Sequence, residues 1–254
     1  MRTVRASVLT AALLLAGLTQ AFAGPAADKA IAKAKEAIQK KEYRRAVKEY
    51  EAGLKEEPQN GKLMLLLGVT YAAIGEFEKA LKMTDASIQM EPSFTGYQYL
   101  GLIQANRGDF EKSIQAYDKA LSMNPSAYRS WYMLGAVLTA NGNFKRAIDA
   151  YRKSIELNPG LVEAYLGLAK AYYLTGDKSS AMQQVLHLKS LNAVNEASAL
   201  ETWLQDKDRK KRQIEANDAA AAAQAAGASP DAQSQAAQPA QKEGAAPAAP
   251  EKKA

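Results

Sequence analysis

The sequence is 254 residues long, with 47% hydrophobic, 24% charged and 7% aromatic residues, and a formal net charge of +6. It contains no cysteine and one histidine, which excludes disulfides, thiol catalysis, lipid attachment through cysteine and any metal site built on two imidazoles. With so few aromatic residues a core must rest on Ala, Leu, Tyr and Met, which suit helix-on-helix layers better than sheets, so an all-α chain is expected.

The first element is a leader. Arg2 and Arg5 precede an apolar run from Ala6 to Leu18, and Ala21-Phe22-Ala23 stands just before Gly24. This is the order of a secretory signal peptide over residues 1–23, cleaved after Ala23 because small side chains at 21 and 23 fit the signal peptidase. The apolar run is 13 residues, too short for a membrane anchor, which needs about 20. No cysteine follows it, so the mature chain is expected free in its compartment, which we expect to be the bacterial periplasm. Removing Arg2 and Arg5 takes the net charge from +6 to +4. So small an excess, combined with export, argues against nucleic acid as a partner.

A repeat follows. Prolines at 58, 92, 125 and 159 recur in steps of 34, 33 and 34, each closing a similar phrase: KEEP, QMEP, SMNP, ELNP. Small residues recur in pairs 12 apart: Ala34 and Ala46, Gly68 and Ala80, Gly101 and Ser113, Gly135 and Ala147, Ala169 and Ala181. Such pairs fit two antiparallel helices whose backbones approach closely. Gly75, Gly108, Gly142 and Gly176 each open a short loop inside a unit, where a glycine can end a helix in the left-handed conformation. Periods of this length signal stacked units, here at about 27–60, 61–93, 94–127, 128–161 and 162–195.

The fourth unit reads Trp131, Leu134-Gly135, Ala147, Tyr151 and Pro159, and the second reads Met64, Leu67-Gly68, Tyr71, Ala80 and Pro92. This pattern resembles the tetratricopeptide-repeat (TPR) family, whose units carry Trp, Leu-Gly and Tyr on one helix and Ala, Phe and Pro on the next. The departures are Leu138 for Tyr in the fourth unit, Thr84 in the aromatic position of the second, and Ala193 for the closing proline of the fifth. The first unit keeps Ala46, Tyr50 and Pro58 but has Ala30 and Lys33 on its first helix, as befits a terminal repeat with one face in water.

After the repeats, Ala197, Leu200, Trp203 and Leu204 recur at helical spacing, which predicts a capping helix over 196–212. Residues 213–254 are rich in Ala, Pro, Gln and Lys and are expected to be a disordered tail, although the run Ala219 to Ala223 favours some extension of the helix. The basic stretch Lys207, Arg209, Lys210, Lys211 and Arg212 reads as a solvated helix end, where cations favour the dipole. Its functional alternative is weak contact with anionic envelope surfaces through Lys207–Arg212.

The residues of covalent and metal chemistry are nearly absent. His187 has no imidazole partner, the carboxylates fall in turns and early helical turns, and the glycines are spaced by the repeat rather than clustered around a phosphate. No catalytic residue, cofactor, metal or small-molecule substrate is expected.

The resemblance implies a right-handed superhelical solenoid of five helix pairs with a C-terminal cap, whose concave groove is lined by first helices and takes peptide or helix segments of partner proteins. Carried onto this chain, the groove positions are Leu65 and Val69 in the second unit, Gln98 and Leu102 in the third, Arg129 and Tyr132 in the fourth, and Leu166, Lys170 and Tyr173 in the fifth. They are largely apolar and aromatic. They do not form the clamp that TPR chaperone partners use for a C-terminal carboxylate, since Ile31 and Lys35 stand at the corresponding stretch. The expected function is a periplasmic, non-catalytic scaffold or assembly adaptor. The alternative is a structural tether that links envelope components through its tail. N-terminal sequencing of exported protein is expected to read Gly24 first; a retained Met1 would contradict the leader.

Overall fold

The computed structural model describes residues 24–227, so the expected leader and residues 228–254 of the expected tail lie outside the described residues. Among the described residues there are eleven α-helices and no strand. Ten of them form five antiparallel pairs: α1 (Pro25–Gln39) with α2 (Tyr43–Glu56), α3 (Gly61–Ala73) with α4 (Phe77–Met90), α5 (Phe94–Arg107) with α6 (Phe110–Met123), α7 (Tyr128–Ala140) with α8 (Phe144–Leu157), and α9 (Val162–Leu174) with α10 (Lys178–Ser190). α11 spans Val194–Gly227. The chain divides into two compact units between Thr202 and Trp203, so the pairs and the start of α11 make the first.

Each pair turns in the same way. Gly75, Gly108, Gly142 and Gly176 have φ between 78° and 95°, the left-handed region that a glycine adopts without strain. In the first pair Lys41 takes the same conformation at φ 60°, a turn with no glycine to mark it in the sequence. One backbone bond closes every turn: the amides of Glu42, Glu76, Asp109, Asn143 and Asp177 reach carbonyls five residues back at 2.8–2.9 Å. The step from α10 to α11 repeats it, with Asn192 at φ 60° and Ala193 N bonded to Leu188 O at 2.9 Å. This tight turn stands where the other units have a proline linker, which accounts for Ala193.

Between pairs the chain makes short turns, with the amides of Asn60, Ala127 and Leu161 bonded to the carbonyls of Glu57, Asn124 and Asn158 at 3.1–3.3 Å, and it is tied down by side chains. Asn60 and Ser93 cap α3 and α5 by accepting the amides of Leu63 and Gly96 at 3.0 and 3.1 Å. Ahead of α7 and α9 the linker is held differently. Trp131 Nε1 donates to Pro125 O at 2.8 Å, and the Tyr165 hydroxyl donates to Pro159 O at 3.0 Å. The aromatic residue near the start of a first helix thus anchors the proline before it.

The small-residue pairs make room for rings. The Ser113 hydroxyl donates to Gly101 O at 2.6 Å, so those two helices touch where the spacing predicts. A Cβ on Gly101 would stand 2.9 Å from the Tyr117 ring, and one on Gly135 would stand 2.8 Å from the Tyr151 ring. Gly135 therefore accommodates the ring of Tyr151. The far end of the same ring meets the next pair, since a Cβ on Gly167 would lie 2.4 Å from Tyr151 Cζ.

The helix expected to end at Arg212 runs on through 213–227, residues assigned to the tail. From Gln213 to Ala226 there is no glycine or proline and much alanine, the strongest helix former; Gly227 is the first residue that favours an end. Within the first unit Ala197 and Leu200 of α11 are buried and Lys189 pairs with Glu201 at 3.2 Å. In the second unit Lys207 lies over the Trp203 ring at 5.7 Å, and Asp206 pairs with Lys210 at 2.8 Å.

Gly135→Leu and Gly167→Leu should each overpack the Tyr151 ring and destabilise the fold by about 1–3 kcal/mol. Thermal unfolding measures this, and unchanged midpoints would contradict the interlock.

Candidate protein-binding groove

First helices of successive pairs lie side by side, α3 with α5, α5 with α7 and α7 with α9. Their outward positions decide where a groove remains open. Between α3 and α5 it is closed: Leu65 and Val69, 7% and 5% exposed, cluster with Tyr99, and Leu102 packs against them. These two residues were expected to line a binding surface, and they are instead part of the packing because Tyr99 fills the space before them. Gln98 is also committed, since its side-chain amide donates to the buried Ser130 hydroxyl at 2.9 Å and ties α5 to α7.

Farther along, small side chains leave space. A cavity of about 410 Å³ opens between α5, α7 and α9. Leu102 and Ala105 line it from α5, Tyr132 and Ala136 from α7, and Glu163, Leu166, Gly167 and Lys170 from α9. Its floor is made by Tyr117 and Tyr151, second-helix residues that sequence reading leaves in the core. The legible signal was Gly167, a mid-helix glycine outside the repeated pairs. Such a glycine marks a close approach, here that of Tyr151.

The structure therefore brings together Leu102, Tyr132, Leu166 and Lys170. It places two others outside the cavity lining. The Arg129 guanidinium donates to the Tyr128 hydroxyl at 3.1 Å and lies over that ring at 5.7 Å. Tyr173 has the Lys178 ammonium over its ring at 5.9 Å.

The Tyr132 and Tyr151 rings meet at 6.1 Å between centroids, tilted by 48°, and the Thr139 hydroxyl lies 3.4 Å from the Tyr151 oxygen. Burial pushes the Tyr151 phenol up to about 12, and burial with the Glu163 carboxylate raises that of Tyr132. Both phenols are therefore neutral at ordinary pH. Glu163 and Lys170 add one charge of each sign to a surface that is otherwise mostly apolar, with Asn106 and Thr139 among its lining. Among the described residues no group of three or more His, Cys, Asp or Glu is placed to hold a metal, and no helix is long and apolar enough to cross a membrane. His187 is exposed beside Tyr165, with ring centroids 5.9 Å apart.

Tetratricopeptide-repeat profiles match residues 100–162 in one version and residues 37–100 and 138–204 in another. No curated protein matches. Among solved structures, MamA is 25% identical, with a TM-score of 0.60, covering 67% of this chain and 94% of that one. PilW, described as a widely conserved type IV pilus biogenesis factor, is 21% identical with a TM-score of 0.60, covering 72% of this chain and 94% of its own. YrrB, described as a TPR protein with an unusual peptide-binding site, is 15% identical with a TM-score of 0.56, covering 66% and 88%. At these identities PilW and YrrB show the fold.

A phenol held at about 12 in the fold against an ordinary 10 adds stability that is whole below pH 10 and is lost as pH rises towards 12. The protein should therefore lose stability across that window, and Tyr151→Phe should lose less. Alkaline titration of the melting midpoint checks this; identical slopes would contradict the burial of that phenol.

Proposed function

The chain belongs to the tetratricopeptide-repeat family, and we propose that it is an exported, non-catalytic scaffold, an adaptor or assembly factor of the bacterial periplasm that binds a segment of a partner protein. The observation that carries this reading is the cavity between α5, α7 and α9, open where the neighbouring stretch of first helices is filled. It is the kind of surface that reads apolar anchors of an extended or helical segment.

The lining of the cavity supports a particular chemistry for the segment. An apolar side chain seats against Leu102, Tyr132 and Leu166, and the space left by Ala136 and Gly167 admits it. A cation beside the apolar anchor complements Glu163 and helps fix the direction of the segment. Export is supported by the Ala21-Phe22-Ala23 site that follows the apolar run. The peptide-binding site stated for YrrB agrees with a peptide partner.

The partner is to be captured by cross-linking from a periplasmic extract with residues 24–254 as bait. Deleting residues 213–254 should leave capture intact; loss of capture, with release from the envelope, would favour a tether. Against the captured segment, Tyr132→Ala and Leu166→Ala should each weaken binding by about 1–2 kcal/mol, read by titration calorimetry. Thermal melts of the two variants must stay near that of the parent. Full-strength binding by both variants would rule out this cavity as the recognition surface.

A further inference from the structure

Glu57 lies in the linker after α2, 33 residues from Gly24, yet its carboxylate closes the N-terminus of α1. Oε1 accepts the Ala27 amide at 2.9 Å and Oε2 accepts the Gly24 amide at 3.3 Å. Asn60 Nδ2 donates to Oε2 at 2.8 Å and steadies the group, while its own oxygen caps α3. Gly24 has no side chain to cap the helix it begins, and Pro25 follows it at the first helical position. Glu57 does that work from the end of α2, the partner helix of the same pair. A Cβ on Gly24 would stand 2.5 Å from Glu57 Oε1 and 2.8 Å from Cδ, so an alanine there displaces the carboxylate from this position. The donated hydrogen bonds, that of Ala27 foremost and then that of Asn60, hold the Glu57 carboxyl below its ordinary range.

Gly24 is also the residue that follows the expected cleavage site. The leader motif and the Glu57 contact are independent observations, one of sequence upstream and one of folded geometry, and they meet on one nitrogen. We propose that removal of the leader turns the Gly24 amide into an α-ammonium that forms an ion pair with Glu57, so that cleavage completes the cap of the first helix. The proposal rests on the export reading. Hydrolysis of the Ala23–Gly24 peptide bond consumes one water and leaves a carboxylate on Ala23 and an amine on Gly24, which takes up a proton at neutral pH. That cation would otherwise lie at the positive end of the α1 dipole, and the Glu57 carboxylate offsets this. The other charged groups nearby are Asp28 in the first turn of α1, Glu56 beside Glu57, and Lys62 and Glu91 on the cleft that Glu57 lines.

The test uses the full mature chain, residues 24–254, with a free Gly24 amine or with that amine acetylated. An amine whose pKa is raised in the fold adds stability that is whole below its unfolded pKa, about 7.7–8.0, and is lost as pH rises through the folded value. In the free-amine chain, NMR titration should place the Gly24 amine about half a unit or more above that range. Glu57→Gln and Gly24→Ala should return it. The free-amine chain should melt above the acetylated one at about pH 6, and the two should converge by about pH 10. An amine in the ordinary range, or equal melting of the two forms at every pH, would overturn the proposal. Exported protein that begins at another residue would overturn the proposal at the cleavage site, whereas a chain retained with Met1 would overturn the export reading whatever the amine's pKa, so the two failures are distinct.

Discussion

The structure depends on rings that lie against glycine. A glycine inside a helix costs about 0.5–1 kcal/mol relative to alanine, so its presence at Gly101, Gly135 and Gly167 needs a return. The return is contact: the Tyr117 ring lies against Gly101, and the Tyr151 ring is held between Gly135 of its own pair and Gly167 of the next. Tyr151, 3% exposed, thus packs one pair internally and joins it to its neighbour in one side chain. In a solenoid, where each unit touches only the units beside it, such a contact sets both the stability of a pair and its angle to the next.

The same constraint shapes the functional surface. Where α9 carries Gly167 and α7 carries Ala136, the first helices leave a space whose floor is the Tyr151 ring. Where α3 carries Leu65 and Val69 and α5 carries Tyr99, large side chains meet and the surface closes. Thr84 stands in the aromatic position of the second pair, fully buried, and its hydroxyl has no hydrogen-bond partner. The two stretches of the array therefore solve the same packing problem with different residues, and the stretch with Gly167 and Ala136 leaves the cavity between α5, α7 and α9.

Much of this was legible in the sequence, because the period, the turn glycines and the proline linkers each express a local backbone requirement. The glycine-free turn at Lys41 was not legible, since its conformation is imposed by the pairing of α1 with α2 rather than by its own residue type. Groove residues were half legible. The register named Leu102, Tyr132, Leu166 and Lys170, which the fold gathers, and also Leu65, Val69 and Gln98, which it uses for packing. Helical register says which way a side chain faces, but whether it is covered depends on the size of its neighbour on the next first helix, as Tyr99 shows. The extent of α11 was partly legible in the run Ala219 to Ala223: low hydrophobicity argues against a core, whereas alanine-rich sequence needs no core to prefer a helix.

The central claim is that a partner segment lies between α5, α7 and α9, and site-specific photo-cross-linking tests it most directly. A photoreactive side chain placed at Ala136, in the cavity, should trap the partner segment in high yield. The same group at Lys82, exposed on α4 and outside that cavity, should trap little. Equal trapping at both positions, or trapping at Lys82 alone, would contradict the account.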